Sequence, residues 1–188
     1  MGTFLWVGFV IEDLRNKTLI EVEESLNGLP LGLDGMYERM LLQIRKERRD
    51  IAALILRWVA MAVRPLTLTE LSAATGIRPV TNLSINEVIR HHVGFCGYLL
   101  RVTSNDVGLV HQSAKDYLLR KDPDLNPQLE FFRVKEEETN AEIAQTCFTY
   151  LQGGALADSS VQLVEKYNKA ANISHLQAFP LLSYVVLY

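Results

Sequence analysis

A mostly α fold is what this sequence predicts, its helices interrupted by one short β-hairpin. Three observations predict it. Apolar residues recur at helical spacing through most of the chain. The signature S/T-x-x-E, in which a hydroxyl caps a backbone N–H and the glutamate answers the cap residue's own N–H, precedes apolar runs at Thr67, Ser84 and Thr139. Between Tyr98 and His111, two short apolar stretches flank a polar break, which is a hairpin pattern.

The elements follow in order. Phe4, Leu5, Phe9, Val10 and Leu14 give a mostly apolar first helix. A Gly-Pro break at residues 28–30 follows, and Asp34 stands in the N-cap position for a helix that buries Met36, Met40, Leu41 and Ile44. Ile51 to Val63 is apolar nearly all round and reads as a core helix, which Pro65 ends. The Thr67 box starts a short helix over Glu70–Ala74, stopped by Gly76, and the Ser84 box starts another through Val88, Ile89, His92 and Val93. Tyr98-LLRV is then a strand, Ser104-NDVG a turn with Asn105 and Asp106 tolerating positive φ, and Leu109-VH the partner strand. Three helices followed by a hairpin and a further helix is the order of a winged helix. An acidic run, Glu136–Glu138, opens another helix, with Thr139 as its box and Ile143, Ala144, Cys147, Phe148 and Leu151 inward; Gly153-Gly154 ends it. The tail Phe179-PLLSYVVLY is too apolar to face water and is expected to pack against sequence beyond this chain. The predicted organisation is a helical subdomain over 1–50, a winged helix over 51–122 and a C-terminal helical linker over 123–188.

Composition sets the function classes. The chain has 188 residues, 48% hydrophobic and 22% charged, with a net charge of -3. That is ordinary for a globular domain and provides no global field toward nucleic acid or an acidic membrane. The two cysteines, Cys96 and Cys147, form neither a disulfide framework nor a CxxC knuckle, so a reducing compartment is expected. The apolar start Phe4–Ile11 lacks a basic flank and is far short of the roughly 20 residues that span a bilayer. A cytoplasmic protein without membrane partners is the expectation.

Catalytic motifs are absent: no glycine is followed by lysine, so there is no P-loop, and HExxH and GxSxG are missing as well. The chain is expected not to be an enzyme. His111, at the junction of the second strand with an amphipathic helix, is the residue whose place asks for a role, with Ser113, Lys115 and Asp116 close behind. A metal site from His91, His92 and Cys96 wants further ligands at suitable spacing. A Cys96–His111 nucleophile and base would place the thiol in an apolar run that disfavours the thiolate. A DNA-reading winged helix would need basic side chains on its third helix and wing, where Arg90 stands among acidic Glu87 and Asp106. No metal and no nucleic acid are therefore expected.

Several segments together resemble a known family. Gly2-TFLWV, Ser25-LNGLPLGLDGMYERML, Leu56-RWVAMAVRPLTLTEL, Val110-HQSAKDYLL, Ile143-AQTCFTYL and Phe179-PLLSYVVLY are similar, in order, to motifs that follow the nucleotide-binding core in fungal NACHT, or STAND-type, nucleoside triphosphatases of the heterokaryon-incompatibility class. The winged helix in that region is the type also labelled after GPI inositol-deacylase. The resemblance implies a non-catalytic regulatory module whose winged helix closes over ADP on a neighbouring P-loop domain and gates ADP/ATP-dependent switching. It implies that His111, by motif position, donates to the ADP β-phosphate. The implied partners are the NACHT core and a repeat domain (ankyrin, WD40 or tetratricopeptide), with oligomerisation on activation. This chain holds no cofactor of its own under that expectation. The core, effector domain and repeats are all outside it, and Met1 standing inside a helical motif leads to the expectation of a truncated piece. The competing expectations are a DNA-binding winged helix and a stand-alone interaction scaffold.

Overall fold

The computed structural model describes residues 2–15, 17–30, 32–155 and 179–187. The first helix, α1 (Gly2–Leu14), buries Phe9 and Val10, and the Trp6 indole N–H donates to the Pro30 carbonyl at 3.1 Å. α2 (Leu19–Asn27) begins at Thr18, whose backbone N–H donates to the Glu21 carboxylate at 2.7 Å. It buries no residue, and Leu19, Ile20 and Leu26 face outward. α3 (Leu33–Leu42) buries Met36, Tyr37, Met40 and Leu41 as the spacing requires. Its cap, however, is Gly32 and not Asp34. Gly32 takes φ +91°, which glycine adopts without strain, and this starts the helix before Asp34. Asp34 lies instead in the first turn, where its charge favours the helix dipole. Gly35 is also required by space, since a Cβ there would meet the Pro30 Cβ at 2.5 Å.

A single 3-10 turn (Lys46–Arg48) leads into α4 (Arg49–Met61), which buries Ala52, Ala53, Ile55, Leu56, Trp58, Val59 and Ala60. It ends before Val63 because Ala62 is already extended at ψ 136°, ahead of the restricted residues preceding Pro65. Strand β1 (Leu66–Thr67) and α5 (Leu68–Thr75) follow, with Gly76 left-handed at φ +70° as the C-cap. α6 (Ile85–Val93) and a 3-10 stretch (Gly94–Leu99) bring the chain to the hairpin, β2 (Leu100–Thr103) and β3 (Asp106–Leu109). Both capping boxes form: the Thr67 and Ser84 N–H groups donate to Glu70 and Glu87 at 2.8 Å each.

The hairpin turn is tighter than the spacing suggests. Thr103 pairs with Asp106, leaving Ser104 and Asn105 as the turn, and the positive φ (+56°) falls on Ser104, not on Asn105 and Asp106. Leu66 and Thr67 pair with Val107 and Asp106, so the described residues form a three-stranded antiparallel sheet in the order β1-β3-β2. The chain is mostly helical with a winged-helix arrangement, helices α4, α5 and α6 followed by the wing β2–β3.

After the wing come α7 (Gln112–Leu118), α8 (Pro127–Glu130) and α9 (Glu136–Tyr150), the last running into a π-helical turn (Leu151–Ala155) that contains the glycine pair. Thr139 caps nothing. It is buried inside α9, which starts at Glu136 after Lys135, because three glutamates in the first turn suit the dipole and no break interrupts them.

The tail also departs from expectation. α10 (Leu182–Leu187) folds onto this chain: Leu181 and Tyr184 are buried in the same core as α4 and α5, while Val186 and Leu187 stay exposed. Polar contacts among the described residues hold it. The Tyr184 hydroxyl accepts from the Val63 N–H, the Ser183 hydroxyl donates to Glu70, and the Leu181 N–H donates to the Tyr150 hydroxyl, each at 3.3 Å. One continuous apolar core runs from Phe9 to Tyr184. Among the described residues no helix is long and apolar enough to cross a membrane.

Candidate functional site

β3 delivers the chain to the start of α7, and the residue at that junction is His111. An N-cap is usually Ser, Thr, Asp or Asn, whose oxygen accepts an otherwise unpaired N–H of the first turn. Here an imidazole nitrogen does it: His111 Nδ1 accepts from the Ser113 N–H at 3.1 Å. A backbone N–H can only donate, so Nδ1 is an acceptor and the neutral ring carries its hydrogen on Nε2. The ring is exposed, and with Nδ1 occupied by the cap, Nε2 is the nitrogen left to donate. The sequence thus places an oriented N–H donor on the surface.

Two further hydroxyls fix the ring. Ser113 Oγ lies 2.8 Å from His111 Nδ1 and 2.8 Å from the Tyr37 hydroxyl. With Nδ1 accepting, the chain of bonds runs from Tyr37 O–H to Ser113 Oγ to the imidazole. Tyr37 is fully buried on α3, packed edge-on against Phe9 at 5.9 Å and against Tyr117 at 5.5 Å. Burial raises its hydroxyl pKa, only partly offset by the bond to Ser113, so it stays a neutral donor. The Ser113 N–H fixes the tautomer of this exposed histidine, and a core tyrosine 76 positions from Ser113 completes the network behind it. Periodicity marked Tyr37's neighbours as core but did not connect it to His111. The signal available was that Tyr37 and Ser113 each occupy a defined position in the Y-E-R and V-H-x-S motifs.

Beside Ser113, α3 and α7 enclose a cavity of about 380 Å³ whose wall is acidic. Asp34 and Glu38 come from α3, Asp116 from α7, and Asp124 from the loop beyond it. Arg120 crosses this wall, donating to Asp124 at 3.1 Å and lying over the Tyr117 ring at 4.5 Å.

The other sequence candidates are placed apart. Cys96 is buried, its thiol donating to the Ala52 carbonyl at 3.7 Å, and burial pushes its pKa up. His92 turns Nδ1 onto the Val88 carbonyl of its own helix at 2.7 Å, and His91 stands edge-on to Phe95 at 4.8 Å. Cys96 therefore faces the core while His111 faces solvent. Arg90 on α6 donates to the Ser104 carbonyl and to Asn105, tying the helix to the wing turn.

Comparison with known proteins fits this architecture. The family described as "GPI inositol-deacylase, winged helix domain" matches residues 37–131, a span that begins on Tyr37 and includes His111 and Ser113. The chain is 36% identical over 121 residues to vegetative incompatibility protein HET-E-1 of Podospora anserina, covering 63% of this chain and 9% of that protein. It is 24% identical over 187 residues to azaphilone pigments biosynthesis cluster protein L of Monascus ruber, covering 93% of this chain and 37% of that protein. The chain thus spans well under half the length of either relative. No solved structure matches it. With α4–α6, the wing and the capped α7 all inside the matched span, the chain belongs to the winged-helix domain family named for GPI inositol-deacylase.

Proposed function

We propose that this chain is the regulatory segment of a fungal NACHT-type signalling protein, a non-catalytic module that docks on a nucleotide-binding core and favours its ADP-bound state. The observation that carries the proposal is the orientation of His111. Its Nδ1 is occupied by the Ser113 N–H, so Nε2–H is left as an outward donor suited to an anionic phosphate oxygen. A donor placed for ADP but crowded by a further phosphate has different affinities for two nucleotide states, which is what a two-state switch requires. The likeness to a vegetative incompatibility protein supports the biological setting. The order 1–50, 51–122, 123–188 fits a subdomain next to the core, a gate, and a linker toward a repeat domain (ankyrin, WD40 or tetratricopeptide). Action in the cytoplasm, with oligomerisation on activation, belongs to the same proposal.

The test joins this chain to a P-loop core and measures ADP retention. His111→Ala and His111→Asn should both speed ADP release at least tenfold and raise basal signalling. Asn keeps a side-chain acceptor for the cap, so only the Ala variant should also lose stability, by about 1 kcal/mol. Unchanged ADP release in both variants refutes the assignment.

A further inference from the structure

Two donors converge on one nitrogen at the junction of β3 and α7. His111 Nδ1 accepts from the Ser113 N–H at 3.1 Å and lies 2.8 Å from the Ser113 hydroxyl, which in turn lies 2.8 Å from the Tyr37 hydroxyl. Tyr37 is fully buried, and among the described residues its hydroxyl has Ser113 as its only hydrogen-bond partner. The Ser113 N–H and the two hydroxyl hydrogens are therefore all satisfied only while Nδ1 keeps its lone pair.

A proton on Nδ1 removes that arrangement. The Ser113 N–H then meets another N–H and has no acceptor. The hydroxyls could reverse, with Nδ1–H donating to Ser113 Oγ and Ser113 donating to Tyr37. The Tyr37 hydrogen would then lie in the core with nothing described to accept it. A buried donor without an acceptor is costly, so the charged ring cannot stay in place without stranding two groups. An ordinary histidine takes up this proton at about pH 6.5.

The elements packed at the junction carry other charges, Asp34, Glu38 and Arg39 on α3, Lys115 and Asp116 on α7, and Asp106 on β3. Arg39 donates to the Gly28 carbonyl, and Asp106 pairs with Thr103 at the wing turn. Asp34, Glu38 and Asp116 line the cavity beside Ser113, together with Asp124, which Arg120 already holds. These carboxylates attract an imidazolium and exert no such pull on the neutral ring.

We infer that His111 is a proton-operated latch on α7, its neutral ring closing the first turn of the helix and its protonated ring releasing that turn. The inference stands on hydrogen bonds within the chain and needs no nucleotide. It goes beyond the nucleotide reading in one respect: the Nε2 donor has a fixed direction only while the latch is closed.

The experiment is an NMR titration of the full chain from about pH 8 to about pH 5, paired with thermal melts of the parent and of His111→Asn. Glu70 and Glu130 are both held below 4.5, so their ion pairs stay charged through this range. At pH 8 the ring nitrogen shifts should show Nδ1 as acceptor and the hydrogen on Nε2. On acidification the Ser113 amide proton should move upfield with the same midpoint as the His111 ring. Asn caps without titrating, so in His111→Asn the Ser113 amide should hold its shift. The melting temperature of the parent should fall by about 2–4 °C relative to that variant between the two ends of the range. A hydrogen on Nδ1 at pH 8, or a Ser113 amide that stays still while the ring titrates, overturns the inference. Equal acid responses in parent and variant also overturn it, since they assign the transition to the carboxylates. No nucleotide enters either measurement, so failure of the ADP assignment and failure of the latch are told apart.

Discussion

Glu70 is where single-residue chemistry holds two parts of the chain together. Burial alone would raise its pKa, but the Arg64 guanidinium, donating at 2.6 and 2.9 Å, and the Thr67 N–H and hydroxyl outweigh burial and hold it below its ordinary 4.5. The folded-state value is lowered, so the carboxylate's contribution to stability is complete above 4.5 and is lost as pH falls through the lowered value. Glu70→Gln should cost about 1–3 kcal/mol at neutral pH, since the partly exposed Arg64 is left without its fork. The variant should also lose stability less steeply than the parent between pH 5 and 3, as followed by thermal melts. Glu130 is a second source of acid sensitivity, held down to about 2 chiefly by Arg133, and Glu130→Gln separates its share. At this scale the sequence is readable where chemistry is local. The Thr67–Glu70 box is apparent at three-residue spacing, whereas the Ser183 hydroxyl that reaches the same carboxylate lies 113 positions away.

Elements show why one short signature can be right twice and misleading once. At Thr67 the preceding Pro65 prevents helix, and at Ser84 the left-handed Asn82 (φ +72°) does the same, so each box has a real start to cap. Thr139 has the same spacing to Glu142, but Glu136–Glu138 ahead of it already form helix, and the box has no free N–H groups to serve. Thr18 with Glu21 carries the signature at the start of α2, whose face is exposed, so core periodicity did not point to it. β1 escaped for another reason: two residues have no period, and only pairing with Val107 and Asp106 makes them a strand. The expected measurements follow that logic. Thr67→Ala should destabilise the chain by about 1 kcal/mol in urea unfolding, and Gly76→Ala, forced to keep φ +70°, by a similar amount.

Over the whole molecule, one core joins the first helix to the last. The apolar tail was legible as something that must be covered, but pattern alone does not say by what. Its partners turn out to lie within the chain, at Val63 just after α4 and at the Arg64–Glu70 pair, with Arg64 lying 5.3 Å from the Tyr184 ring centre. Leu181→Ala should therefore cost about 2–5 kcal/mol and shift a single urea transition without changing its slope. A second, earlier transition would show instead that the tail melts independently. The candidate site divides the same way. His111 could be picked out from its junction and its motif, while the Tyr37–Ser113 link that orients it exists only once α3 and α7 are packed.

Capping α7 with an imidazole has a practical consequence. The Ser113 amide proton exchanges with solvent only when the ring lets go of it. Anything that holds Nε2 from outside also holds Nδ1 in place, because the two nitrogens belong to one rigid plane. Protection of that single amide against deuterium thus makes the first turn of α7 a built-in gauge of occupancy at the far edge of the ring, readable without labelling the ligand.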